Sequence, residues 1–75
     1  MPVYYFDFSD AAHSWSDETG LQFESLEAAI ESAASAAGAM AKEAAPEQFA
    51  VTITIRDEAV PRCQIRLSCE IDLMN

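Results

Sequence analysis

The sequence predicts an α+β fold: one amphipathic helix packed on a three- or four-stranded antiparallel sheet, in the order β-(β)-α-β-β. Three observations carry that prediction. The opening run Val3-Tyr4-Tyr5-Phe6-Asp7-Phe8-Ser9 is β-branched and aromatic, as strands are. From Ser25 to about Ala45 apolar residues recur at the 3.6-residue spacing of a helix. Beyond Pro46 the period drops to two, the signature of strands with one buried and one wet face.

Each element can be justified in turn. In 3–9, Tyr4, Phe6 and Phe8 share one face and Val3, Tyr5 and Asp7 the other. Residues 10–24 are rich in turn formers and include Asp17-Glu18-Thr19-Gly20. Trp15, Leu21 and Phe23 are the expected apolar anchors there, and 13–16 a candidate short strand folding back on the first. The helix has Ser25 as N-cap, with Glu24 and Glu27 suiting the positive end of its dipole. Leu26, Ile30, Ala33, Ala34, Ala37, Met40, Ala41 and Ala44 form its apolar stripe, and Pro46 marks its stop. Ala28, Ser32, Ser35 and Ala39 make a small-residue stripe along its back.

Val51, Ile53 and Ile55 alternate with Thr52, Thr54 and Arg56. Then Cys63, Ile65, Leu67, Cys69, Ile71 and Leu73 alternate with polar residues. These runs, 49–56 and 63–73, read as an antiparallel hairpin joined by about five residues, Asp57 to Pro61. As the longest strand, 63–73 is expected at the centre, between 49–56 and 3–9.

Composition narrows the function. Seventy-five residues make a single domain, 1–75, near the lower size limit for folding without staples. Fourteen of the apolar residues are alanine, so the core must be thin. A net charge of −9 argues against nucleic acid and against an anionic membrane surface, both of which are bound through Lys and Arg. No run approaches the ~20 apolar residues of a membrane span. No export signal is visible, which points to the cytoplasm. Cys63 and Cys69, six residues apart on one strand, lie too far apart to bridge, consistent with a reducing compartment.

Candidate sites are few. His13 among Asp10, Asp17 and Glu18 could hold a divalent cation, yet acids in a turn more often serve solvation, helix entry or Asx-turns. No nucleophile motif or phosphate-cradling glycine loop stands out, so an enzyme is not expected and no cofactor is implied. Residues 1–41 carry seven acids and no base, while Lys42, Arg56, Arg62 and Arg66 follow. Parity puts Arg56, Arg62 and Arg66 on the solvent face, near Tyr5. They form a candidate anion or partner face there, unless they pair with Asp7, Glu70 and Asp72.

Met1-Pro2-Val3-Tyr4-Tyr5-Phe6-Asp7, Asp17-Glu18-Thr19-Gly20, Ser25-Leu26-Glu27-Ala28-Ala29 and Ile55-Arg56-Asp57-Glu58 come in a telling order. Together they resemble a family of small, uncharacterised alphaproteobacterial proteins common in rhizobia. Its members begin Met-Pro-x-Tyr-aromatic-Phe and carry an Asp-Glu-x-Gly turn before a Leu-Glu-Ala-Ala helix. The chain departs from that pattern at Ala59-Val60, where relatives tend to have a glycine turn, and in its low arginine content. The resemblance implies a compartment and a coarse fold but no catalytic residue.

The expected function is therefore a small, acidic, non-enzymatic interaction module, homodimeric or bound to another protein. The alternatives are a small anion or metal sensor and an acidic antitoxin or DNA mimic that occupies a basic partner.

Overall fold

The computed structural model describes residues 1–44, 49–58 and 60–74. In chain order the elements are β1 (Val3–Asp10), β2 (Ser14–Trp15), β3 (Leu21–Gln22), α1 (Leu26–Ala44), β4 (Phe49–Asp57) and β5 (Val60–Cys69). One helix covers one face of a five-stranded antiparallel sheet, the α+β arrangement the patterning predicts. The weak signal at 13–16 becomes β2, which pairs Phe8 with Trp15 and Ser9 with Ser14. The fifth strand, β3, was not expected; it pairs Val3 with Gln22 and Tyr4 with Leu21.

The strand order corrects the expected one. The path is β2-β1-β4-β5, so β4 is central and β5 lies at an edge. Burial gives the physical reason. Ile53 and Ile55 of β4 are fully buried, whereas Cys63, Ile65 and Leu67 of β5 are only half-buried. Strand length reflects how far alternation runs, whereas the β-branched run Val51-Thr52-Ile53-Thr54-Ile55 suits a central strand paired along both edges. β5 also stops at Cys69 instead of Leu73; Cys69 pairs with Phe49, the first residue of β4.

The hairpin is tighter than the expected five-residue loop. Asp57 pairs with Val60, and Glu58 takes a positive φ of 45°, as tight hairpin turns require. Register then slips: Arg56 faces Pro61 while Ile55 faces Cys63, so Arg62 is the extra residue of a β-bulge. Proline is tolerated there because an edge strand need not donate every N–H.

The core is as thin as the composition implies. Its buried members are Tyr4, Ala29, Ala33, Ala37, Ile53 and Ile55, with Phe6, Phe8, Phe23, Leu26 and Ile30 packed around them. Ser25 caps α1 as expected: its Oγ accepts from the Ala28 N–H at 3.2 Å and its carbonyl from the Ala29 N–H at 3.2 Å. The stripe facing the sheet is rotated from the predicted one. Ala29, Ala33 and Ala37, at i, i+4 spacing, form its buried centre line, and Ala34 is exposed. Small side chains on the line of closest approach let the helix settle onto Ile53 and Ile55, with Leu26 and Ile30 flanking. Of the expected loop anchors only Phe23 packs inward, its ring 6.5 Å from Tyr4 and 5.7 Å from Phe6. Trp15 and Leu21 are exposed. The proposed stop at Pro46 lies outside the described residues.

Candidate functional site

Register places the uncovered face of the sheet. Tyr5, Asp7 and Ser9 of β1 stand beside Arg56, Thr54 and Thr52 of β4, which in turn stand beside Gln64 and Arg66 of β5. Of the four residues expected to make an anion or partner face, register therefore puts Tyr5, Arg56 and Arg66 on one surface, while Arg62 is the bulge residue; they do not share one chemistry.

Arg56 is fully engaged. Its Nε donates to Asp7 Oδ2 at 2.8 Å, its Nη2 to the Asp17 carbonyl at 2.6 Å, and its Nη1 to the Glu58 carbonyl. Its guanidinium also lies 4.6 Å from the centre of the Tyr5 ring, a cation–π contact. The hydrogen bond to Asp7 is the main reason its pKa is raised further above the ordinary arginine value. Arg62 pairs with Asp57 at 3.0 Å across the hairpin. Arg66 differs: among the described residues it meets no carboxylate, and its Nη2 donates to Gln64 Oε1 at 3.0 Å. Gln64 reaches in turn to Thr54 Oγ1 at 3.3 Å. Arg56 and Tyr5 thus bind the sheet together, and Arg66 is the member of the set available to a partner.

The acidic turn is also structural. Asp17 Oδ2 accepts from the Phe6 N–H at 3.1 Å, and Oδ1 from the Thr19 and Gly20 N–H groups at 2.9 and 3.0 Å. Asp7 Oδ1 accepts from the Asp17 N–H at 2.9 Å. Burial pushes the Asp17 carboxyl up, but the N–H groups of Gly20, Phe6 and Thr19, with the charge of Arg56, hold it below the usual range. Gly20 closes the turn at φ 73°, where a Cβ would sit 2.7 Å from Val3 Cγ1 and 2.8 Å from Tyr5 Cε2.

Asp10 caps its own turn, accepting from Ala12 and His13 at 2.8 and 2.7 Å; these two backbone bonds lower its pKa. His13 stacks on Trp15 with ring centres 5.4 Å apart. Asp10 and Asp17 are thus held by different backbone groups. Among the described residues no three His, Cys, Asp or Glu side chains converge as a metal site would need.

Sequence reasoning missed one concave feature. Phe8, Trp15, Met40, Phe49 and Val51, with Asp10 at the rim, line an open apolar cleft of about 470 Å³ at one end of the sheet. Its residues come from four separate segments and share no local pattern, so only the strand order could have revealed it. Among the described residues no helix is long and apolar enough to cross a membrane.

No curated protein and no solved structure matches the chain. A family does match, over residues 3–66, from the first strand almost to the end of the last. By that match the chain belongs to the family described as Domain of unknown function (DUF6894).

Proposed function

We propose that this chain is a small, acidic, non-enzymatic interaction module that works in the cytoplasm as a homodimer. One observation carries the reading. Among the described residues, β5 is hydrogen-bonded to a strand on one side only, and its inward residues are half-buried. An open edge of ten residues is a template for pairing with another chain. The shape supports it: the Cα radius of gyration is 13.8 Å, against the ~11 Å expected of a compact domain of this length. Free Cys63 and Cys69 agree with a reducing compartment. The order of the Met-Pro-x-Tyr-aromatic-Phe opening and the Asp-Glu-x-Gly turn supports an alphaproteobacterial origin. The test is a light-scattering mass across a concentration series: a dimer mass is expected, and a monomer at every concentration overturns the reading.

Arg66, beside Gln64 on the wet face, favours a second reading, a small anion-binding module. A thermal-shift screen with phosphate, sulfate and nucleotides separates the two. A ligand present at 100 times its dissociation constant adds about 2.7 kcal/mol, and a flat response removes this reading.

A further inference from the structure

We infer that the partner on the open edge is the β5 segment of a second copy, paired antiparallel about a two-fold axis through Ser68. The inference rests on the homodimer reading above and specifies its interface. The polar face of this segment reads Arg62, Gln64, Arg66, Ser68, Glu70, Asp72: bases first, acids last. An antiparallel self-pairing reverses one copy against the other, so such a gradient is self-complementary.

Side-chain parity permits only pairings whose residue numbers sum to an even value, because opposite residues must share a face. A pairing centred on Arg66 would put the two Arg66 side chains against each other, one centred on Ile65 or Leu67 would put no acid opposite Arg66, and one centred on Cys69 would set Arg66 opposite Asp72 but leave Glu70 facing Ser68. Centring on Ser68 sets Arg66 opposite Glu70 twice, by symmetry, and Gln64 opposite Asp72 twice. Arg62 stays with Asp57, and the bulge beside Pro61 falls outside the pairing.

A second observation points the same way. Period-two alternation continues past the end of β5 at Cys69 through Leu73, and Leu73 is 91% exposed. In the Ser68-centred pairing Leu73 comes opposite the inward-facing Cys63 of the second copy, on the half-buried face.

Sedimentation equilibrium on the full chain tests this with Arg66→Glu, Glu70→Arg and the double variant, each first confirmed as folded by its urea melt. Either single reversal sets two pairs of like charges face to face. Each should weaken the dimer at least about tenfold, while the double variant should return within about threefold of the wild-type affinity. A dimer indifferent to all three variants would leave the homodimer reading standing and overturn the β5 interface. A wild-type chain that is monomeric throughout removes both. Loss of the dimer in the double variant as well would show that these positions matter by shape alone, against the charge pairing inferred.

Discussion

The two edges of this sheet meet the same problem in opposite ways. At the β1 edge, β2 covers residues 8–9 and β3 covers residues 3–4, which leaves a gap between them. The Asp17 carboxylate reaches into that gap and takes the Phe6 N–H. The β5 edge has no such cover among the described residues beyond Pro61 and the bulge at its start. A strand edge exposes backbone groups that any other chain can pair with, and proteins normally blunt both. Here a fifteen-residue connection and one acid close one edge, while the other keeps a regular run with ordered charge. The difference teaches where to look for a partner: the closed edge is held by the fold itself, and the open one is where the homodimer proposed above would pair.

The closed edge should therefore be fragile to mutation in the monomer itself. The largest effect is expected at Gly20. Gly20→Ala forces a side chain into the left-handed region, at about 1–2 kcal/mol, and drives its Cβ against Val3 and Tyr5. Together these should cost about 3 kcal/mol, a fall in Tm of at least ~12 °C for a domain of this size. A melt within ~3 °C of the wild type would show that the turn does not hold the edge. Asp17→Ala comes next, at about 2 kcal/mol. It strands the Phe6 N–H at the centre of the closed edge, while Thr19 and Gly20 can turn to water.

The same carboxylate sets a pH signature. Because the folded pKa of Asp17 is depressed, its stabilisation is present above the ordinary value of 3.8 and is lost as pH falls through the folded value. Urea melts should show the gap between wild type and Asp17→Ala constant from pH 7 to about 5, then narrowing below pH 4. A gap unchanged at pH 3 would mean the charge is irrelevant to the edge.

How much of this contrast the sequence disclosed depends on the range of the forces involved. Period and capping are local, so the helix from Leu26, its Ser25 cap and the inward parity of Tyr4, Ile53 and Ile55 were all legible. Strand order is not local. It follows from which apolar face is buried most deeply, and alternation in 63–73 looked stronger than in 49–56 although β4 holds the buried isoleucines. β3 was missed because two residues carry no period, and its pairing depends on Gly20 and Asp17 turning the chain back beside Val3. For the same reason Asp17 read as a solvated turn acid, and only the fold shows it bonded to Phe6, eleven residues away. Arg56 was placed correctly beside Tyr5, but its commitment to Asp7 and to two carbonyls required the register.

Away from both edges a gain should be available. Gly38 sits on the exposed side of α1, and a Cβ there meets nothing within 4 Å. Gly38→Ala removes the entropy cost of a helical glycine and should add about 0.8 kcal/mol, raising Tm by roughly 3–6 °C. Because that Cβ touches no other element, this variant should leave the self-association proposed at β5 unchanged. A shift in affinity as large as that from Arg66→Glu would show that the helix contributes to the interface.

The smallest effect is expected at Arg62, and it sharpens the comparison most directly. Arg62 and Arg56 both hold an aspartate through Nε, at 3.0 and 2.8 Å. Arg56 does so with side chains only 22% and 27% exposed and adds two carbonyls and a ring. Arg62 stands 50% exposed over an Asp57 that is 37% exposed, at the bulge of the open edge. Exposed pairs of that kind are screened by water and salt and must also immobilise two side chains. Arg62→Gln should therefore change stability by less than about 0.5 kcal/mol at pH 7, and that small change should shrink further at high salt. It should also leave self-association intact, since Arg62 is already paired within its own chain. A loss above ~1.5 kcal/mol would show that the start of β5 is held as firmly as β1, and that the two edges are less different than their geometry implies.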